Sequence, residues 1–271
     1  MTLRTTKAAS LHSMQIKVSK YHGTGNDHIL VDDRDGALED LSNEKIKMLC
    51  DRKFGIGSDG LILVRDHAEQ DLEMIFYNPD ASQSFCGNGS RCLMAFCEME
   101  GIVSEEFSFH AIDGSHEGRK EGTEYAIHMH DIPFSKIEEI GNDIFLDTGS
   151  PHYVVFVDDL EGIDIIKEAH KIRYNDRFCE AGTNVNFVVM GEGQASVRTY
   201  ERGVEDETLS CGTGVTAVAL AVAYKGRANN ECRIHTKGGE LKVRFQKDDI
   251  GFNNIWMVGP AVHVFDATIE I

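Results

Sequence analysis

The chain repeats itself once within 271 residues, and this duplication restricts its fold more than any other feature. Gly25-Asn26-Asp27-His28 leads into the apolar run Ile29-Leu30-Val31. Its counterpart, 124 residues later, is Gly149-Ser150-Pro151-His152 before Tyr153-Val154-Val155-Phe156. Cys86-Gly87-Asn88-Gly89 returns 125 residues later as Cys211-Gly212-Thr213-Gly214. His110 and Gly114 recur at that same spacing as His235 and Gly239. Glycine-rich turns recur in any β-rich protein and would account for one such match, hardly three in one order and nearly one register. The expectation is two similar units of about 125 residues with a boundary near Ile132–Glu139. Residues 14–133 form the first unit, with 262–271 as a candidate completing segment, and residues 134–261 form the second.

Most of the chain reads as short strands, among them Leu61–Val64, Glu73–Tyr77, Tyr125–Met129, Val185–Val189, Ser196–Tyr200, Leu241–Phe245 and Ile255–Val258. After each Cys-Gly-x-Gly the pattern turns helical. The spacing predicts helices over Ser90–Glu100 and Val215–Lys225, each stopped by a glycine, Gly101 and Gly226. The second is apolar almost all round (Val215, Ala217, Val218, Ala219, Leu220, Ala221, Val222, Ala223), so it must be buried on every side. Strands wrapped around a central helix, twice over, meet that demand. The expected class is α+β: two duplicated domains, each a β-barrel-like sheet around one helix, with the site in the cleft between them.

Composition removes several functions. With 27 Lys+Arg against 45 Asp+Glu the formal charge is −18, which repels phosphate backbones and argues against a nucleic-acid partner. No apolar run approaches the roughly 18–20 residues of a membrane span. Seven cysteines, an odd number without scaffold density, fit a reduced, cytoplasmic protein. Cys86, Cys92 and Cys97 lie close together but lack zinc-site spacing, so no metal is expected there. Residues 1–13 contain Arg4 and Lys7 and no acid; they read as a leader, an added segment or an alternative start before Met14.

Each motif cysteine stands directly ahead of a helix start, where unpaired N–H groups and the helix dipole favour a thiolate and can grip a carboxylate. A cysteine below its ordinary pKa is therefore expected at both places. Flanking glycines let a ligand approach the backbone. Two thiols and two anion-binding helix starts suit one reaction in particular. Removing the α-proton of an amino acid builds charge on its carboxylate; one thiolate takes the proton from one face and the other thiol returns one to the opposite face. Inversion proceeds without pyridoxal phosphate or a metal. The duller alternative, two small buried cysteines in tight turns, suits one motif better than a matched pair.

These residues closely resemble the diaminopimelate epimerase family. The resemblance runs through Tyr21-His22-Gly23-Thr24-Gly25-Asn26-Asp27, Phe54-Gly55-Ile56-Gly57-Ser58-Asp59-Gly60 and Asn78-Pro79-Asp80 to the first cysteine motif. It continues through Thr183-Asn184-Val185 and Arg198-Thr199-Tyr200-Glu201-Arg202-Gly203 to the second. It implies that Cys86 and Cys211 are the acid–base thiols of an enzyme interconverting LL- and meso-diaminopimelate. Gly87, Asn88, Gly212 and Thr213 are implied to hold the reacting carboxylate and ammonium, and Asn26, Asn78, Asn184, Glu201 and Arg202 to line the site and bind the distal end. His152 and Glu201 are implied to tune the thiols. No cofactor is implied; the partner is a small amino acid, and a homodimer is open.

Each of these has a plainer counterpart: Asn as a turn residue, Glu201 with Arg202 as a surface ion pair, His152 as a packed ring. Ser150 replaces the family's usual Asn, Pro79 and Ala81 stand where Ala and Gly are common, and Gly60 lacks a side-chain amide. All three departures touch the distal end and leave the thiols alone. Rival readings are a racemase of another amino acid and a non-catalytic binding protein on the same scaffold. Proline-racemase relatives carry His in the first motif where Asn88 stands here, and a binding protein needs neither thiol.

Overall fold

A computed structural model describes residues 14–103 and 105–271; the expectation for residues 1–13 lies outside the described residues. The first half contains β1 (Gln15–Gly23), β2 (Asn26–Asp32), β3 (Gly60–Arg65), β4 (Leu72–Tyr77), β5 (Glu106–Ala111), β6 (Gly114–Glu121) and β7 (Glu124–Met129). Its helices are α1 (Asn43–Cys50) and α2 (Gly87–Met99). Neighbouring strands pair in chain order, parallel at β2–β3 and β4–β5 and antiparallel elsewhere. Two short strands, β8 (Ile132–Pro133) and β9 (Glu138–Ile140), lead into the second half.

That half consists of β10 (Asp143–Asp147), β11 (Pro151–Phe156), β12 (Asn184–Met190), β13 (Gln194–Glu201), β14 (Asp206–Thr208), β15 (Glu231–Thr236), β16 (Gly239–Lys247) and β17 (Gly251–Gly259), with α3 (Ile165–Arg173) and α4 (Gly212–Tyr224). Its pairing pattern repeats the first, parallel at β11–β12 and β13–β15 and antiparallel elsewhere. The register repeats too: His28 faces Gly60 across β2–β3 as His152 faces Asn184 across β11–β12. The last strand, β18 (Val262–Glu270), returns to pair with β1.

The halves are joined through equivalent strands. β7 and β17 run antiparallel, with Ile127 opposite Met257 and Ala126 opposite Val258. One hydrophobic core spans both halves and takes in the inward residues of α2 and α4. Every residue from Val215 to Ala223 is buried, as an all-apolar helix requires. Burying each of its larger side chains contributes roughly 1.5–3 kcal/mol. Among the described residues no helix is long and apolar enough to cross a membrane.

The seven strands expected from sequence all form. Both central helices begin three residues earlier than their expected starts, at Gly87 and Gly212, so the motif glycines form the first turn and the cysteines are the caps. Glycine is a poor helix former, which hid these starts. The packing explains it: a Cβ on Gly87 would stand 2.8 Å from Met257 Cε and 3.9 Å from the Gly212 Cα. Bare backbone lets the two helix starts abut.

Candidate active site

Cys86 and Cys211 cap α2 and α4 where those helices meet at the junction of the halves. Cys86 is half-buried and Cys211 is buried, and Cys211 feels the charge of Cys86. Cys86 Sγ accepts the Gly89 N–H at 3.3 Å and lies 3.7 Å from Asn26 Oδ1. Asn26 is itself held by Asn88 Nδ2, which donates to its Oδ1 at 3.2 Å, and by Asp59, which accepts from its Nδ2 at 2.9 Å. Asn88 also donates to the Ser210 carbonyl at 3.1 Å, tying the first helix start to the residue before the second cysteine.

On the other side Cys211 Sγ stands 3.6 Å from the Thr213 hydroxyl. Thr213 Oγ1 is 2.9 Å from His152 Nε2, and the Thr213 carbonyl accepts from Thr148 at 2.8 Å. His152 thus reaches Cys211 through Thr213. Glu201 accepts from Thr208 Oγ1 at 2.8 Å, and its charge is felt at Cys211.

The expected lowering of both thiol pKa values is corrected by their surroundings. Burial pushes Cys86 up to about 12; the Gly89 N–H and the Arg91 charge pull the other way and do not prevail. Burial and then the Glu201 charge push Cys211 up further, against the Thr213 and Gly214 hydrogen bonds. A half-charge at a helix start is worth less than the water a buried thiolate forfeits. Burial also raises Glu201 and drives His152 down to about 3, so that ring is neutral at physiological pH.

The distal residues form a separate group. Asn184 Nδ2 donates to Ser150 Oγ at 2.9 Å and to the Pro151 carbonyl at 3.0 Å, while its Oδ1 accepts the Arg202 N–H at 2.9 Å. The Arg202 guanidinium donates to the Ala181 carbonyl at 3.0 Å and reaches Ser150 Oγ at 3.4 Å. No ion pair joins it to Glu201, and among the described residues no carboxylate neutralises it. Among the described residues Asn78 donates only to Ser82 and Ser84 in its own turn.

Sequence reasoning missed several contributors. Asp59 orients Asn26 and, with Asp27, binds Arg52; Lys20 pairs with Asp27 at 2.6 Å. Asn186 and Thr199 stand behind His152. Arg91 is fully buried on α2, donating to the Pro260 carbonyl at 3.3 Å. Asn186 was detectable, as the one polar residue inside the apolar run Val185–Val189.

Comparison with known proteins fits this geometry. The family model described as diaminopimelate epimerase matches residues 18–128 and 144–264. A diaminopimelate epimerase of Flavobacterium psychrophilum is 46% identical over 258 residues, covering 94% of this chain and all of that one. The Chlorobaculum tepidum enzyme of that name is 37% identical over 92% of this chain and 99% of its own. Among solved structures, a Bacillus anthracis phenazine biosynthesis protein of the PhzF family superposes with a TM-score of 0.71 at 15% identity, covering 95% of this chain and 100% of that one. A hydroxyproline epimerase from Agrobacterium vitis gives 0.68 at 13%, covering 95% and 93%. These two attest the fold alone. Near-complete sequence coverage by the first two relatives and by the family model decides the affiliation: this chain belongs to the diaminopimelate epimerase family.

Proposed function

We propose that this protein interconverts LL- and meso-diaminopimelate by passing protons between Cys86, Cys211 and the two faces of one α-carbon. The observation that carries the reading is the meeting of two helix starts, each capped by a thiol, at Gly87 and Gly212. One sulfur, as thiolate, removes the α-proton and becomes a thiol. The electron pair passes into the substrate carboxylate, where the N–H groups of the abutting first turns receive the developing charge. The other thiol delivers its proton to the opposite face and becomes the thiolate. One proton is lost and one gained, and the sulfurs exchange states.

In this reading Gly87, Asn88, Gly212 and Thr213 hold the reacting carboxylate and ammonium. Asn26, Asn78, Asn184, Glu201 and Arg202 bind the distal amino-acid end, where an unneutralised guanidinium suits a carboxylate. The two units are residues 14–133 with 262–271 and residues 134–261, and the substrate lies between them. Acid–base work supplies roughly 10²–10⁴-fold and an oxyanion donor roughly 10²–10³, so exclusion of water on closure contributes the remainder. The product feeds lysine and peptidoglycan synthesis, and free thiols of this number fit a reducing cytoplasm.

The test is proton exchange in D₂O. Incubated with diaminopimelate, proline, lysine or histidine, the reduced protein is expected to place deuterium only at the α-carbon of diaminopimelate. Exchange with proline instead would move the substrate to another amino acid, and no exchange with any of them would leave a binding protein.

A further inference from the structure

The two halves hold their cysteines with side chains of opposite hydrogen-bonding sense. On the Cys86 side, Asn26 donates its Nδ2 to the Asp59 carboxylate, which can only accept. Its Oδ1 therefore faces Cys86, and an acceptor there stabilises the S–H form.

On the Cys211 side the order runs the other way. Asn186 Nδ2 lies 3.4 Å from the Tyr153 carbonyl, an acceptor, which fixes which end of the amide points there. The same NH₂ faces His152 Nδ1 at 3.1 Å, and Asn186 Oδ1 accepts from Thr199 Oγ1 at 3.0 Å. His152 Nδ1 must then accept, so the ring carries its proton on Nε2 and donates it to Thr213 Oγ1. The Thr213 hydroxyl, occupied as an acceptor, has its own proton free for Cys211 Sγ at 3.6 Å. A donor at that place stabilises S⁻. Space for this chain exists because Gly214 has no side chain: a Cβ there would stand 2.9 Å from Asn186 Oδ1 and 3.2 Å from His152 Cε1.

The first half lacks the counterpart. Ile62 packs under Gly89 as Asn186 packs under Gly214, and among the described residues both buried ring nitrogens of His28 have no hydrogen-bond partner. We infer that Asn186, held by Thr199, is a positioning residue that sets the His152 tautomer and thereby aims the Thr213 hydroxyl proton at Cys211 Sγ, favouring the thiolate there.

This rests on reading Cys86 and Cys211 as the acid–base pair, but its test needs no substrate, so a failure of the proposed activity would be seen separately. The full-length protein is alkylated with iodoacetamide across a pH series and each cysteine is followed by peptide-resolved mass spectrometry. The ionisable groups facing Cys211 are Glu201 and Cys86, with His152 behind Thr213, and none is altered by the variants. The half-labelling pH of each cysteine is compared between the parent protein and each variant. Asn186→Leu and Thr199→Val should raise the half-labelling pH of Cys211 by about one unit and leave that of Cys86 in place, whereas Thr199→Ser, which keeps the hydroxyl, should label like the parent. Thr199→Val labelling Cys211 at the parental pH would overturn the assignment, as would an equal rise at Cys86.

Discussion

His28 and His152 occupy the same place in the two halves, at the start of equivalent strands, yet they live under different conditions. His152 links Asn186 to Thr213, whereas His28 packs edge-on against Phe76 with both nitrogens unpartnered. Duplication copied the backbone, and the side-chain chemistry then diverged around it. Where Asn186 stands, the first half has Ile62; where Thr213 stands, it has Asn88; where Thr216 stands, it has the buried Arg91. Two matched sulfurs sit in unmatched surroundings.

The severest test of the comparison is to remove either sulfur. Cys86→Ala and Cys211→Ala are each expected to lower epimerisation by about 10³–10⁴-fold or more, measured as interconversion of the two stereoisomers. Either variant turning over at the parental rate would end the two-thiol scheme.

Acid comes next. Burial holds His28 and His152 at about 3, below their ordinary value of 6.5. The unfolded chain therefore binds more protons between those values, so stability is full above pH 6.5 and falls as pH drops toward 3. Each ring contributes a slope of at most about 1.4 kcal/mol per pH unit. Urea midpoints recorded between pH 6.5 and 4 should fall, and should fall less steeply in His28→Leu.

The same histidines separate at neutral pH. His28→Leu removes two unpartnered buried nitrogens and is expected to leave the melting temperature unchanged or raised. His152→Leu strands Asn186 and Thr213 and should cost about 1–3 kcal/mol. Equal losses would mean that His28 has a partner after all.

The smallest effect is expected at the glycines. A Cβ at Gly214 meets the Asn186 amide oxygen at 2.9 Å, while one at Gly89 meets the Ile62 Cδ1 tip at 3.1 Å. An apolar side-chain end can swing away, whereas an amide fixed on three sides cannot. Gly214→Ala should therefore cost about 1–2 kcal/mol more than Gly89→Ala in chemical denaturation.

Much of this was legible in the chain. The repeat, both cysteines and the all-apolar α4 identify the architecture because pattern and burial depend on residue type along one element. The helix starts were misplaced because only a tertiary contact, at Gly87 and Gly212, makes glycine suitable there. The thiol pKa values were misjudged for a related reason: the helix dipole is local to the sequence, while desolvation comes from everything packed around it. Asp59 and Thr199 stayed hidden because their partners, Asn26 and Asn186, lie on other strands.

The seam formed by β7 and β17 also governs how the chain can come apart. Pulling the halves away from one another would uncover two complementary strand margins, each with open amides and carbonyls and an apolar flank. Such margins adhere readily to other molecules of the same kind. A chain severed near residue 134 should therefore yield fragments that clump unless both are present together.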